Sequence, residues 1–428
     1  MPPRLARYLT RSLWIKCHIY LALVFGLGFS LIGLSGSLCI YAEAIDSWLN
    51  PELVVESSNA SPLPLDKMLA SLRQAEPNRH GAWTLELPRT PNGTITAWFD
   101  KPRESVDKRY APLMVAINPY SGEIVSQRFW GQTFATWLTD LHTRLLLEDY
   151  GRELMAVMAA LLSISAISGL YLWWPGIAGL PRAFRLRRST LMHLLIDCHR
   201  LLGLASAGVL LLLAFTGFHL AYPDLLETLT AAEGMGHGDA GPNIRSTAVP
   251  TNRPTSIAEA VLVARGLFPR SEVRRITTPV GDLGTYRINL RQQHELNQHH
   301  PFTTVWVDRW SGQIRGVNNP NQFSAGQTFT TWQWPLHTGE AFGDGGRLLW
   351  FFAGLTPSLL FASGLLHWLH RQGWIKDRPL DLAWTLRVYR YRSRQRLRHY
   401  RQQSWQTLHP LSRKALRWLR TRLAELKQ

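Results

Sequence analysis

The sequence predicts an α-helical membrane protein, with four transmembrane helices arranged as an internal duplication and two α/β inserts on one side of the bilayer. Three observations carry this reading. First, the 428-residue chain gathers its apolar residues into four runs, near 17–41, 154–174, 201–222 and 348–370, with no Asp, Glu, Lys or Arg inside any of them. A helix of about 20 such residues crosses a hydrocarbon layer of roughly 30 Å. Second, the chain uses one plan twice. Gln132-Thr133-Phe134 with Thr136-Trp137, then Leu141-His142-Thr143, Gly151-Arg152 and Ser168-Gly169-Leu170 recur as Gln327-Thr328-Phe329 with Thr331-Trp332, Leu336-His337-Thr338, Gly346-Arg347 and Ser363-Gly364-Leu365. Cys17-His18 opens the first apolar run, and Cys198-His199 stands just before the third. Third, the charge is distributed unevenly, as set out below.

Residues 1–16 form a short basic arm and residues 17–41 the first helix. That helix is expected to be retained and not cleaved as a signal peptide, because it is longer than an h-region, lacks an A-x-A-like site and has its histidine mirrored in the third helix. The first insert, 42–153, leaves the membrane past Trp48, an interfacial aromatic, and a linker marked by Pro62 and Pro64. Residues 66–75 then have helical spacing, and three alternating segments between 82 and 127 read as half-buried strands. Asn118 to Gly122 supply the turn between the last two. After the second helix, 154–174, comes a basic loop, 175–200, and the third helix, 201–222. The second insert, 223–347, repeats the helix-then-strands order, with Asp308 to Gly312 at the same turn. The fourth helix, 348–370, leads into an Arg-rich tail, 371–428.

The formal net charge of +17 is carried almost wholly by three segments: +4 in 1–16, +4 in 175–200 and +13 in 371–428. The inserts carry −4 and 0. By the positive-inside rule both termini and the short loop are cytoplasmic and both inserts periplasmic. The tail is expected to contact anionic lipid head groups, at roughly 1 kcal/mol per basic residue near the surface, and not nucleic acid. The three cysteines fall at positions that give no disulfide framework. Neither a nucleophile triad, paired carboxylates, H-E-x-x-H nor a P-loop occurs in usable form, which excludes hydrolase and ATPase readings.

In combination these motifs resemble a known family. A His-x-x-x-x-Leu helix, an insert ending in Asp/Asn-x-x-Ser-Gly-x-Ile, a Leu-His to Gly-Arg stretch and a helix ending Ser-Gly-Leu-x-x-Trp are similar to those of PepSY-associated transmembrane proteins. The resemblance covers about residues 10–375, in both halves, and leaves the tail out. Characterised relatives include inner-membrane ferric-siderophore reductases with two b-type haems. The resemblance therefore implies an oxidoreductase of the bacterial inner membrane that takes electrons from quinol or a cytoplasmic reductase and passes them through two haems b to a periplasmic ferric siderophore, releasing ferrous iron for uptake. Without C-x-x-C-H, any haem is not covalently attached. Two other classes stand beside this one: a non-enzymatic periplasmic binding or regulatory module, and a siderophore permease. The permease reading lacks the charged residues that coupling sites inside the spans would need.

Histidines at lipid-embedded helix ends are costly without partners, and pairs from different helices suit the axial positions of haem iron. His18 and His199 lie at the cytoplasmic starts of helices one and three, His142 and His337 before helices two and four on the other face. A two-fold axis along the membrane normal would bring each related pair together, one per face. For His142 this requires residues 137–147 to be helical. His219, where the first half has Leu38, and His367, where it has Leu172, break the symmetry and compete for the same roles; His370 lies one turn further.

Other features are expected to have plainer roles. His300-Pro-Phe-Thr303 matches a flavin-binding tetrapeptide but falls in a periplasmic insert. His294, Glu295, His299 and His300, and separately His237 with Asp239, read as solvated loop residues, with metal binding or contact with a ferric ligand as the alternative. Trp130, Trp137, Trp332 and Trp334 flank the Leu-His turns as belt anchors and as walls that an incoming chelate would meet.

Overall fold

The computed structural model describes residues 10–56, 61–232, 243–247 and 253–377, with residues 389–391, 393–397, 416 and 418–420 of the tail. In chain order the helices are α1 (Arg11–Cys39), α2 (Ala42–Leu49), α3 (Leu65–Ala75), α4 (Phe134–Arg144), α5 (Glu148–Trp173), α6 (Leu180–Ala183), α7 (Leu191–Ala221), α8 (Pro223–Thr230), α9 (Ile257–Leu267), α10 (Ala325–Thr331), α11 (Gln333–Thr338) and α12 (Gly343–Arg371). The strands are β1 (Thr84–Glu86), β2 (Ile95–Phe99), β3 (Leu113–Ile117), β4 (Ile124–Phe129), β5 (Glu272–Thr277), β6 (Thr285–Arg291), β7 (Thr303–Asp308) and β8 (Ile314–Asn318).

Helices α1, α5, α7 and α12 are long and apolar enough to cross a membrane, and each extends beyond its uncharged run. At the start of α1 the Thr10 side chain accepts from Leu13 N, so the helix begins six residues before Cys17. Large apolar side chains such as Tyr20, Val24, Leu27, Val157, Ile167, Phe352 and Leu359 point outward, as lipid-facing residues do. Where the helices meet, small residues let the backbones approach. A Cβ on Gly33 would lie 2.3 Å from Gly354 O, and Ser37 Oγ donates to Phe351 O at 2.8 Å, so α1 crosses α12 on a glycine-serine contact.

The inserts differ from the sequence reading in one respect. They do not fold as two separate modules; their strands join into a single antiparallel sheet of order β4-β3-β2-β1-β5-β6-β7-β8. The junction is β1 with β5, where Thr84, Leu85 and Glu86 face Thr277, Ile276 and Arg275. Each half would otherwise expose a short first strand, and pairing the two edges removes both. The junction is reinforced by Thr84 with Thr277 at 3.0 Å and Arg275 with Glu86 at 3.1 Å. Helices α3 and α9 cover one face, and one apolar core runs through both halves, with Leu72, Leu85 and Val115 beside Ile257, Ile276, Ile288 and Val305.

The two Ser-Gly turns work alike. Asn118 Oδ1 accepts from Tyr120 N at 2.9 Å, and Asp308 Oδ1 from Trp310 N at 2.8 Å and Ser311 N at 2.9 Å. Gly122 and Gly312 then take φ of 76° and 68°, which glycine adopts without a Cβ penalty.

The Gly-Arg pairs also gain a structural account. A Cβ on Gly151 would strike Arg144 O, and one on Gly346 would lie 2.5 Å from Gly339 O, so each glycine lets its helix start flush against the preceding Leu-His turn. Each arginine reaches the C-terminal carbonyls of a helix from the other half: Arg152 to Leu220 O at 3.5 Å and Ala221 O at 3.4 Å, and Arg347 to Ile40 O. A guanidinium there satisfies carbonyls that the helix end leaves without intrahelical partners.

The chain divides into two compact units, 1–184 with 199–365, and 185–198 with 366–428. In the second, Arg187 forms a bidentate pair with the buried Asp197 at 2.8 and 2.9 Å, and Asp377 accepts from Met192 N at 3.2 Å.

Candidate functional site: two imidazole pairs

Four of the six singled-out histidines form two ring pairs inside the first unit. His18 of α1 and His199 of α7 have ring centres 6.4 Å apart with planes at 90°; His142 of α4 and His337 of α11 are 6.1 Å apart at 35°. The segment carrying His142 is helical over 134–144, which turns its imidazole against α1. The ring pairs are formed without His219 or His367. His219 lies three residues beyond Thr216 on α7, only 3 % exposed, and its Nδ1 has no partner among the described residues. His367 lies in the second unit, and its Nδ1 is likewise buried without a partner. His237 and Asp239 lie outside the described residues.

Each paired imidazole rests on a hydroxyl-glycine step of a neighbouring helix. His18 Nδ1 is 2.8 Å from Ser168 Oγ, His199 Nδ1 3.0 Å from Ser363 Oγ, and His337 Nδ1 2.8 Å from Thr216 Oγ1. His142 Nδ1 lies 3.0 Å from Ile32 O and 3.3 Å from Ser35 Oγ. The residue after each hydroxyl is glycine. A Cβ on Gly169, Gly364, Gly217 or Gly36 would lie 3.2, 3.3, 3.1 or 2.6 Å from the Cε1 of His18, His199, His337 or His142. The glycine therefore makes the space that the ring occupies.

This arrangement fixes the tautomer. A serine or threonine hydroxyl has one hydrogen to give. Ser168 gives it to Ser165 O at 2.8 Å, Ser363 to Leu359 O at 2.7 Å, Thr216 to Leu212 O at 2.8 Å and Ser35 to Leu31 O at 2.8 Å. Toward the imidazole each oxygen can then only accept, as can Ile32 O. Ile32 O can only accept, so His142 Nδ1 carries the proton and its Nε2 keeps a lone pair; with their hydroxyl hydrogens given to the backbone, Ser168, Ser363 and Thr216 set His18, His199 and His337 the same way. Metal-ligating histidines are prepared in this way, with the non-ligating nitrogen donating to a fixed acceptor.

The spacing fits a metal held between two imidazoles. With metal–nitrogen bonds of about 2 Å and the ring radius added on both sides, two imidazoles sharing one metal ion would stand about 6 Å apart between centres. Among the described residues, no group of three or more His, Cys, Asp or Glu is placed to hold a metal ion. A haem, whose porphyrin supplies most of the ligands of its iron, would need only the two further donors that each imidazole pair could give. The donor set, its tautomers and its spacing thus fit haem.

The hydroxyl-glycine steps are functional candidates to which the repeated motifs alone assign no role. The signal was present: Ser35-Gly36, Ser168-Gly169, Thr216-Gly217 and Ser363-Gly364 place one such step on each long helix. Only the pairing of helices, invisible in the sequence, shows that each step faces a histidine.

The segments bearing His142 and His337 are tied to the inserts. Trp130 Nε1 donates to Asp140 at 2.9 Å, and the Arg144 guanidinium lies over the Tyr110 ring at 5.4 Å. Trp350 Nε1 donates to Leu336 O at 2.8 Å. The β6–β7 loop clasps α11 from both sides: Asn297 donates to Thr331 O at 2.9 Å, while the buried Glu340 accepts from Gln298 N at 3.0 Å and contacts His299 Nδ1. In the same loop burial pushes the Glu295 carboxyl up, against the N–H of Phe302 and the hydroxyl of Thr303. His299 and His300 are thus part of this loop's packing, His300 lying edge-on to Trp334 at 5.4 Å.

Four apolar helices around two half-buried imidazole pairs, under a shared antiparallel sheet, define a multi-pass membrane protein. The family model for the PepSY-associated TM region matches residues 15–371, and the chain belongs to that family. No curated protein matches it.

Proposed function

We propose that the protein is an inner-membrane oxidoreductase that passes electrons through two b-type haems to a periplasmic ferric siderophore. The observation that carries this reading is the presence of two imidazole pairs, 6.4 and 6.1 Å between ring centres, with every Nδ1 committed to an acceptor and every Nε2 left as a ligand. In this reading the two halves are products of a duplication, the inserts are periplasmic and both termini are cytoplasmic, as the charge distribution favours.

In this reading the histidines and the residues that hold them have defined tasks. His18 and His199 would hold one haem toward the cytoplasmic face, and His142 and His337 the other toward the periplasmic face. Ser168, Ser363, Thr216, Ser35 and Ile32 O orient the rings. The apolar helices exclude water, and the Leu-His turns bring the second pair under the inserts. Haem b supplies reversible one-electron chemistry. Two centres divide a span of roughly 30 Å that one would have to cross alone. One electron delivered to a ferric chelate gives a ferrous one, whose hard oxygen donors suit it less well, so the metal is released; the electron comes from quinol or a cytoplasmic reductase.

Optical spectroscopy of detergent-purified protein tests this. Reducible b-type bands that are reoxidised on adding a ferric siderophore are expected. Absence of such bands would leave a binding module in place of a reductase.

A further inference from the structure

The second insert contains a cavity of about 590 Å³, within the range of small-molecule sites. It lies between the end of α9, the β6–β7 loop and α10. Its apolar wall includes Phe268, Phe302 and Trp332; its polar edge includes Arg270, Gln293 and His294. Those three are exposed, and their side chains have no partner among the described residues. The one carboxylate in the lining, Glu295, is already engaged by Phe302 N, by Thr303 N at 3.2 Å and by the Thr303 hydroxyl at 2.9 Å. Gln292, also in the lining, is spent on Thr303 and Asn319, both at 2.9 Å. The groups left to meet a ligand include a guanidinium, an imidazole and an amide beside aromatic rings, with the buried Asn297 Oδ1 as an unpartnered acceptor among them.

The cavity is also linked to the second imidazole pair. Thr331 and Trp332 form part of its lining and lead into α11, and His337 follows Trp332 by five residues, about 7.5 Å along a helix at 1.5 Å per residue. Asn297, another lining residue, holds Thr331 O at 2.9 Å.

We propose that this cavity is a binding site for an anionic, oxygen-donor chelate of a trivalent metal, gripped by Arg270 and His294 and stacked against Trp332. The proposal names the place where the acceptor of the reductase reading would dock, and it rests on that reading for the acceptor's identity.

The test uses a gallium(III) tris-catecholate, which keeps the metal's charge but cannot be reduced, titrated into the full-length purified protein and followed by tryptophan fluorescence and calorimetry. Saturable binding is expected, weakened at least tenfold by Arg270→Glu and several-fold by His294→Ala, but unchanged by Arg103→Glu in the first insert. Trp332→Phe should remove most of the fluorescence change while calorimetry still reports binding. No saturable binding, or binding insensitive to both Arg270→Glu and His294→Ala, overturns the site. Because gallium takes no electron, a protein that lacks haem bands yet binds the complex would sink the reductase and spare the cavity; haem bands without gallium binding would do the reverse.

Discussion

His18 and His199 are carried by the long helices α1 and α7 themselves, whereas His142 and His337 sit on the short helices α4 and α11 that precede α5 and α12. The first pair needs only that four helices pack in register. The second also needs the inserts, because α4 is held by Trp130 and Tyr110 and α11 by Asn297 and Glu340. One pair is thus a property of the bundle, and the other couples the bundle to the sheet above it.

Removing ligands should break the comparison most completely. His199→Ala and His337→Ala are each expected to cost about one of two haems per chain, measured by haem extraction, and each should spare the other centre. Retention of both would overturn the ligand assignment. Next in size, Gly36→Leu should displace His142, whose Cε1 already lies 2.6 Å from where a Cβ would stand, and should lower haem content only at the second pair.

A finer contrast lies in the Nδ1 acceptors. Ser168→Ala takes away the hydroxyl that holds His18 Nδ1 at 2.8 Å, and haem affinity at the first pair should fall about 10–100-fold, as for the loss of other such outer contacts. Ser35→Ala should cost much less, since Ile32 O still accepts from His142 at 3.0 Å. Equal losses in a haem-transfer assay would argue that the hydroxyls do not set the ring.

Arg347→Met should destabilise the bundle by about 1.5–3 kcal/mol, the usual worth of a hydrogen bond to a charged group, read as a shift in thermal unfolding. Arg152, with longer contacts of 3.4 and 3.5 Å, should matter less.

The smallest effect concerns the sheet. Burial pushes the Asp308 carboxyl up, but the N–H groups of Ser311, Thr247 and Trp310 and the Arg315 guanidinium outweigh it and hold the group well below the usual range. A depressed carboxylate contributes stability above its unfolded value of about 3.9 and loses it as pH falls further. Thermal unfolding of the insert should weaken below pH 4 in the wild type, and Asp308→Asn should flatten that dependence.

Much of the frame was legible in the sequence because lipid imposes simple rules: long uncharged runs become helices, and related histidines near helix ends pair across a repeat. Alternation placed the strands of the first insert in the stretch 82–127, where β1 to β4 begin, and the repeated helix-then-strands order held in the second. What escaped was contact between distant segments. Nothing in 84–86 or 272–277 states that β1 and β5 join two inserts into one sheet, since an unpaired edge looks the same whether it meets solvent or another strand. Nor does Ser168-Gly169 declare that it faces His18, 150 residues earlier. The reach of Arg152 and Arg347 into the opposite half was hidden for the same reason, although the Gly-Arg repeat marked the residues themselves.

Low-temperature electron paramagnetic resonance of the oxidised protein tests the central claim most directly, because imidazole pairs set at 90° and at 35° would, on holding haem iron, give different low-spin ferric signals. Two such species are expected, one strongly anisotropic from the crossed rings and one rhombic from the nearly aligned ones; His199→Ala should abolish the first and His337→Ala the second. A spectrum with no low-spin ferric haem, or with both signals surviving both substitutions, would contradict the account.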